Sequence, residues 1–438
     1  MNRRTLAVLL GLGAILNFVS CGGSSKKPTT SGLKERVMAS QSVTSTSAFG
    51  DLRFINGIND TLPGVAPLSA GLAPGLMATS PTRNILITFD ARSNSVFAFN
   101  TVTEAGFGQV TLPGPTTSMV VPTAATIGYA AVPSAQVTGF TGVGAVDVMN
   151  LAGAITTTIL IPNAQTVIAN PAGSQIIVFN SNSSSQSDYI TVVNPGVAVP
   201  PVDTSCQQAL QGQNNSVCTI VHGFDQPVYG IINGNTAYIL NCGPQCGGTT
   251  ASVAIFDLGS LTITNTIPVD AATWALLNGS TLYVVGTSPT NFACTGQTTA
   301  ATTCGRLDII DLNLGTVTNS VAITDGTHDR MDLGSNNQLF IGSHDCTNIG
   351  NVNFPNGEVR GCLTIYNLTN GSVVIPPDNG DVTGIQGFSS RYVEYVAQGG
   401  NLRVYDTTRD VLLVNDFLPA GTINIVGYVT DIKAIDFF

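Results

Sequence analysis

The chain contains three histidines, and each lies close to an aspartate in the sequence. The pairs are His222 with Asp225, His328 with Asp329, and His344 with Asp345. Imidazole and carboxylate groups together form transition-metal sites and general acid–base pairs. The sequence therefore leaves two interpretations open: polar loop residues bonded to nearby backbone, or a catalytic site built from His222, His328, Asp329, His344 and Asp345.

No longer motif assigns a reaction to the chain. The sequence has no Gly-x-Ser-x-Gly elbow, no phosphate-binding glycine loop followed by lysine, and no His-Glu-x-x-His pair. We therefore predict neither a cofactor nor a bound metal. The formal net charge is −10, and no strongly basic region follows residue 49, which disfavours nucleic-acid binding.

Short apolar runs that recur along the chain would position these residues. Seven of them end on Asp or Asn, at intervals of 39 to 63 residues: Val96–Asn100, Val146–Asn150, Ile190–Asn194, Val253–Asp257, Leu307–Asp311, Leu363–Asn367 and Leu402–Asp406. A unit of this size cannot bury its own hydrophobic face, and about 40 to 50 residues per four-stranded sheet is typical of a propeller blade. With 47 Gly, 22 Pro and only 10% charged residues, the sequence predicts an all-β fold, a seven-bladed β-propeller of four-stranded antiparallel blades. The blades are numbered 1 to 7 by these runs.

A polar turn and a second apolar strand precede several of these runs. Examples are Asn233-Gly-Asn-Thr-Ala-Tyr-Ile-Leu-Asn241 and Asn278-Gly-Ser-Thr-Leu-Tyr-Val-Val-Gly286. Asn-Gly supplies the positive backbone φ of a tight hairpin, so each segment predicts a strand, a turn and a strand. The turn followed by Tyr-Ile-Leu-Asn or Tyr-Val-Val-Gly resembles the YVTN-type β-propeller repeat of bacterial extracytoplasmic and lactonase-like propellers, from about residue 76 to 425. The resemblance implies a fold and not an activity.

Residues 1–20 have the pattern of a signal peptide, with Arg3 and Arg4 before a short apolar segment. The small residue before Cys21 resembles the lipobox of bacterial lipoproteins, which implies acylation of Cys21 and anchoring in the cell envelope. Because Gly22 is not an aspartate, the resemblance favours the outer membrane, with the protein exposed to the periplasm or the cell surface. An ordinary secretory signal with an incidental cysteine is the alternative.

The remaining chain divides at residue 49. Residues 21–49 are rich in Ser, Thr, Gly and Lys and predict a lipidated cysteine followed by a flexible tether. Residues 50–438 form the predicted propeller. A strand from one end of the chain is expected to close the ring, and both Leu52–Ile55 and Thr430–Phe437 have the required pattern.

Eight cysteines follow Cys21, and they fall as sequence neighbours. The predicted disulfide pairs are Cys206 with Cys218, Cys242 with Cys246, Cys294 with Cys304, and Cys346 with Cys362. An even number of cysteines in an exported chain favours disulfides. Pairing within one loop does not require distant segments of the chain to meet, although other connectivities are possible. A zinc site is the rival at Cys242 and Cys246.

The blade pattern predicts where these residues lie. Three cysteine pairs fall in the connection between the second and third strands of blades 4, 5 and 6, and Cys206 and Cys218 fall in the crossover into blade 4. In a propeller both kinds of connection emerge on one face, so the thiols and the three histidines are expected there together. Trp274 begins blade 5 and is either a sugar-stacking residue of the central channel or a core residue.

The leading functional hypothesis is a monomeric binding or scaffolding module that engages a protein or glycan through this disulfide-braced face. Long loops on a rigid ring suit recognition, because covalent bracing lowers the ordering cost of binding. The alternative is a lactonase-like or metal-assisted hydrolase that uses the histidines and aspartates of the same face.

Overall fold

The computed structural model describes residues 31–42, 50–123, 126–140, 144–181, 186–287, 304–346, 362–376, 380–416 and 418–436. Within these ranges, nearly all regular structure is β. The strands are β1 (Glu35–Ser42), β2 (Asp51–Asn56), β3 (Leu68–Ser69), β4 (Pro74–Thr79), β5 (Ile85–Asp90), β6 (Ser95–Asn100), β7 (Ala105–Thr111), β8 (Ser118–Val120), β9 (Ile127–Val132), β10 (Ala145–Asn150), β11 (Ala154–Leu160), β12 (Thr166–Ala169), β13 (Ile176–Phe179), β14 (Tyr189–Val193), β15 (Val202–Asp203), β16 (Cys218–His222), β17 (Pro227–Asn233), β18 (Thr236–Asn241), β19 (Ser252–Asp257), β20 (Thr262–Pro268), β21 (Trp274–Asn278), β22 (Thr281–Thr287), β23 (Gly305–Asp311), β24 (Thr316–Ile323), β25 (Thr327–Leu333), β26 (Gln338–His344), β27 (Leu363–Asn367), β28 (Val373–Val374), β29 (Val382–Gly387), β30 (Val393–Gln398), β31 (Asn401–Asp406), β32 (Val411–Leu412), β33 (Thr422–Ile423) and β34 (Tyr428–Asp436). One α-helix, α1 (Ser205–Leu210), and two short 3-10 helices (Pro195–Val197 and Gly243–Cys246) accompany them.

The strands form eight sheets arranged as the blades of a propeller. Each of the seven predicted runs is the third strand of its own sheet, in blades 1 to 7. Within these sheets the neighbouring main strands are antiparallel; blade 2 adds the parallel strand β15, and β33 pairs with β31 in blade 7. The all-β propeller of four-stranded antiparallel blades is therefore confirmed, whereas the predicted number of seven blades is wrong.

The eighth blade is assembled from both ends of the chain. Its strand order is β3-β2-β1-β34, and β1 pairs with β34 from Glu35↔Asp436 to Ser42↔Tyr428. Both segments that were expected to close the ring thus belong to one blade, where β2 and β34 flank β1. A repeat count misses this blade because no continuous stretch of sequence contains its strands.

Strand β1 corrects the predicted tether. Residues 21–49 were expected to be flexible, but six consecutive residues of Glu35–Ser42 are buried. Three of them are polar and bonded within the fold: Arg36 is ion-paired with Glu104, the Ser40 hydroxyl donates to the Gly75 carbonyl at 3.1 Å, and Gln41 Oε1 accepts from Arg53 Nε at 2.6 Å. The polar composition of this segment predicted disorder. The prediction was wrong because these polar side chains find hydrogen-bond partners within the fold, which allows the segment to form a buried strand.

The core lies between adjacent blades. Side chains of blades 5 and 6 form one buried cluster that includes Val285 and Ile341. In strand β1, alternate side chains pack toward different neighbouring blades. Val37 and Ala39 pack toward blade 7, and Met38 packs toward blade 1. Successive side chains of a strand point to opposite faces, so each blade is covered on both sides by its neighbours.

The strand connections alternate between two faces of the ring. One side of the ring carries the connections between second and third strands and the crossovers between blades, and we call this side the loop face. The turn face carries the connections between first and second and between third and fourth strands. Strand β1 leads into β2 through a second-to-third connection, so Glu35 begins β1 at the turn face.

Two arginines join blade 8 to its neighbours. Arg36 of β1 is ion-paired with Glu104 of blade 1, both side chains are almost fully buried, and Arg36 Nη2 donates to the Thr101 carbonyl at 2.9 Å. On the other side, Arg391 of blade 7 donates from Nη1 and Nη2 to Asp60 of blade 8 at 2.7 and 2.9 Å. Each carboxylate would be an uncompensated charge without its arginine.

Replacing Arg36 by Met is therefore expected to lower the free energy of unfolding by about 3 to 5 kcal/mol, because Glu104 would remain buried without a cation. Urea denaturation followed by circular dichroism measures this change. The control is Arg409→Met, which removes a pair whose arginine is 64% exposed and should cost less than about 1 kcal/mol. Equal losses in the two variants would contradict a closing role for Arg36.

Candidate functional site

Disulfides brace the loop face at blades 4 and 6. Cys242 is bonded to Cys246 in the connection after β18, and Cys346 to Cys362 in the connection after β26. Both predicted pairs are confirmed, and at Cys242 and Cys246 the bond stands in place of the zinc alternative. Cys304, at the start of β23 in blade 5, is also disulfide-bonded, while its predicted partner Cys294 lies outside the described residues.

The fourth disulfide is paired as predicted but placed differently. Cys206 is bonded to Cys218, yet Cys218 begins β16, which is the fourth strand of blade 3. The pair therefore lies in a third-to-fourth connection, at the turn face, and not in the crossover into blade 4. The insertion that contains α1 and β15 packs against blade 2, and this pairing across blades could not be read from the cysteine spacing.

His222 lies apart from the other histidines, at the loop-face end of the outermost strand of blade 3. Its Nδ1 is 3.1 Å from Asp188 Oδ2, and both side chains are more than 60% exposed. Its sequence neighbour Asp225 instead accepts hydrogen bonds from the backbone of Thr249 and Thr250 at 2.9 and 2.7 Å. Asp225 thereby holds the blade 4 disulfide loop against the crossover.

Asp329 and His344 meet in blade 6. His344 Nε2 lies 3.0 Å from the Asp329 carboxylate, and its Nδ1 lies 3.8 Å from Asp381 Oδ2. The hydrogen bond to Asp329 raises the pKa of His344 above its ordinary value, against the opposing effect of burial. Asp345 is exposed in a left-handed backbone conformation, and its N–H donates to Asp381 at 2.9 Å. His344 is thus held between carboxylates, which favour its protonated form.

His328 is buried in the innermost strand of blade 6, with 1% of its surface exposed. Its ring packs beside Gly305 of blade 5, where an added Cβ would lie 2.7 Å from His328 Cε1. Burial lowers the pKa of His328 to about 4. The side chain is therefore a neutral core residue at neutral pH, and the structure unites Asp329 and His344 without His222.

The pKa values of the two blade 6 histidines should differ from the ordinary value of 6.5 in opposite directions. In an NMR titration of the imidazole Cε1–H resonances, we expect His344 to lose its proton above that value and His328 to remain neutral down to about pH 4. The interaction of His344 with Asp329 should accordingly stabilise the fold fully below pH 6.5 and be lost as the pH rises through the folded pKa.

His222→Gln and His344→Gln variants assign the resonances, since the chain has three histidines. Titration of His328 near pH 6.5 would contradict its burial, and titration of His344 below that value would contradict its bond to Asp329.

A cavity of about 680 Å³ lies on the axis of the ring, toward the loop face. Its wall is formed by residues at the innermost strands of blades 1 to 6 and 8, and by Gln245 and Cys246 of the blade 4 disulfide loop. Gln245 Oε1 also accepts from the Thr287 backbone N–H of blade 5 at 2.7 Å. The braced loop is therefore part of the cavity and is fixed to the neighbouring blade.

Aromatic side chains of two blades form one platform in this wall. The rings of Tyr229 in blade 4 and Trp274 in blade 5 are stacked with centroids 3.9 Å apart and an interplanar angle of 17°. Burial raises the pKa of Tyr229 to about 12, and the Arg330 charge acts in the opposite direction. The sequence analysis singled out Trp274 but not Tyr229, whose only signal was its place at the start of an innermost strand.

Charged side chains complete the wall. Arg330 of blade 6 donates from Nε to the Thr383 carbonyl at 2.8 Å, and its Nη1 is 3.1 Å from Asp329. Lys433 of blade 8 lies 3.2 Å from the Asp431 carboxylate. Neither cation stood out in the sequence, because a place on an innermost strand does not show whether the side chain faces the axis.

No group of three or more His, Cys, Asp or Glu side chains within the described ranges has the arrangement of a metal site. In the same part of the chain, no helix is long and apolar enough to cross a membrane.

Comparisons with known proteins find similarity in fold. No family model matches the chain, and no curated protein matches it. Among solved structures, Kuenenia stuttgartiensis hydrazine synthase is similar at 12% identity, over 83% of this chain and 86% of that one, with a TM-score of 0.42. Dihydro-heme d1 dehydrogenase NirN in complex with DHE is similar at 9% identity, over 92% and 75%, with a TM-score of 0.56. The chain is a β-propeller. At these identities the likeness extends to the fold alone.

Proposed function

We propose that the protein is an extracytoplasmic binding module that holds a glycan in the axial cavity at its loop face. The observation that carries this proposal is the Tyr229–Trp274 platform in the cavity wall. Stacking covers the facing sides of the two rings, and the remaining apolar surface of the pair lines the cavity. The C–H face of a pyranose packs on such a surface while its hydroxyls bond to surrounding polar groups. Thr117, Ser118 and Gln165 supply such groups in the wall at blades 2 and 3, on the side of blade 4 away from Trp274.

The braced loops support the same proposal. The blade 4 loop is closed by its disulfide, tied by Asp225 to the crossover, and tied by Gln245 to blade 5. A cavity edge fixed in three ways loses little conformational freedom when a ligand binds. A protein partner on the same face is the other form of this hypothesis.

A hydrolase is the second candidate, because Asp329 lines the cavity and lies 3.0 Å from His344. A general base, however, must be free to take a proton from the substrate. Both nitrogens of His344 face carboxylates, and Asp329 is also paired with Arg330. This arrangement favours a structural imidazolium, so binding is preferred over catalysis.

The proposed location is the cell envelope, with the chain anchored through an acylated Cys21. The disulfides support an oxidising compartment. Thirteen residues separate Cys21 from Glu35, a span of at most about 45 Å. Because β1 begins at the turn face, such an anchor holds that face toward the membrane and directs the cavity away from it. The YVTN-type repeat and the outer membrane remain parts of this proposal.

Replacing Cys21 by Ala tests the anchor. In cells that express the full chain, we expect labelled palmitate to be incorporated into the parent protein and not into Cys21→Ala, which should leave the membrane fraction. Cys304→Ala, which removes a disulfide-bonded cysteine elsewhere in the chain, is the control. Equal labelling of all three forms, or none in the parent, would contradict lipidation at Cys21.

The glycan proposal has a direct optical test, since the chain contains one tryptophan. A panel of neutral and acidic oligosaccharides is titrated while Trp274 fluorescence and its quenching by acrylamide are measured. We expect at least one oligosaccharide to shift the emission and to protect Trp274 from the quencher. Calorimetry with Trp274→Ala should then show binding weakened by about 10-fold or more, with loss of the platform.

Phe97→Ala, which removes an aromatic ring of blade 1 far from this platform, is the control and should retain affinity. Absence of binding across the panel, or full affinity in Trp274→Ala, would contradict the proposed site.

A further inference from the structure

The two cations of the axial cavity occupy one arc of its wall. Arg330 lies on the innermost strand of blade 6 and Lys433 on that of blade 8. The strand between them, β29 of blade 7, accepts the Arg330 Nε–H through the Thr383 carbonyl at 2.8 Å. The chain has 16 basic against 26 acidic residues, so two cations in one cavity are a notable concentration.

The carboxylates beside these cations are already committed to internal bonds. Asp431 is 1% exposed, and it accepts from the Met77 and Ile432 backbone N–H groups at 2.8 Å as well as from Lys433. Asp329 accepts from His344 at 3.0 Å and pairs with Arg330 at 3.1 Å. Their negative charge is therefore spread over several donors within the fold.

The cations keep open donors. A guanidinium has five N–H groups and an ammonium has three. Among the described residues, the bonds of Arg330 use Nε and Nη1, which leaves Nη2, and those of Lys433 go to Asp431 at 3.2 and 3.3 Å. Arg330 also acts on the Tyr229 hydroxyl electrostatically, so its charge is close to the aromatic platform.

From these contacts we infer that the cavity selects an acidic glycan, in which a uronate carboxylate binds Arg330 and Lys433 while the sugar ring packs on Trp274. The inference rests on the glycan-binding proposal above. The open Nη2 group of Arg330 and the Lys433 ammonium are charged donors that a uronate carboxylate accepts. A sulfated sugar presents similar anionic oxygens, so the ligands compared below include one. The Asp329 carboxylate, which is also bonded to His344, pairs with Nη1 of Arg330 and so restrains the guanidinium.

The experiment compares matched ligands at Trp274 by fluorescence, with calorimetry as a second measurement. Tetrasaccharides of galacturonate, mannuronate and hyaluronan are titrated beside their methyl esters, which keep the sugar and remove the charge. A sulfated carrageenan tetrasaccharide, which carries no carboxylate, and neutral cellotetraose complete the set. We expect at least one uronate to bind about 10-fold or more tightly than its ester and to weaken as sodium chloride is raised.

The variants assign the selectivity to residues. Arg330→Gln should lose about 10-fold or more in affinity for the uronate and leave affinity for the ester unchanged. Lys433→Gln should have a smaller effect in the same direction, and it keeps the test valid if Arg330→Gln does not fold. Arg409→Gln, at an exposed arginine of blade 7, is the control and should bind as the parent does.

The outcomes separate the two proposals. Equal binding of acid and ester, or binding of cellotetraose alone, overturns the acidic-glycan inference and leaves glycan binding in place. Binding of the sulfated carrageenan tetrasaccharide without binding of any uronate overturns the assignment to a carboxylate. No binding by any oligosaccharide overturns glycan binding itself.

Discussion

The antiparallel pairing of β1 with β34 is the constraint on which the rest of the ring depends. None of the eight sheets buries its faces alone, and the hydrophobic clusters lie between blades. Without the joined ends of the chain, blades 1 and 7 would each expose one apolar face to water. The buried Arg36–Glu104 and Arg391–Asp60 pairs fix the closing blade on both sides and make its position specific.

Closure also creates the candidate site, because only a complete ring has an axis. Tyr229, Trp274 and Arg330 belong to three successive blades and meet at the cavity because each lies on an innermost strand. Their side chains are held by the sheets behind them and by contacts between blades, including the Arg330 bond to blade 7. The wall is thus formed before any ligand arrives, which lowers the ordering cost of binding.

The disulfides are distributed between the loop face and the turn face. The disulfides of blades 4 and 6 lie at the loop face with His344, whereas Cys206–Cys218 lies at the turn face beside blade 2. The first group braces the cavity side, and the second holds an insertion against its neighbour. Sequence neighbours among the cysteines therefore serve two different parts of the molecule.

The sequence by itself determined the strand repeat, the all-β propeller class and the pairing of cysteines within loops, because these depend on local alternation, turn residues and short spacing. It did not determine the eighth blade, whose strands come from both chain ends. Nor did it determine the buried strand Glu35–Ser42, whose polar residues find partners in the neighbouring strand β2 and in blade 1. The Tyr229–Trp274 stack and the Arg330 and Lys433 arc were likewise decided by tertiary structure. Residues from separate blades meet only when the ring closes, and no local pattern encodes which side chains then face its axis.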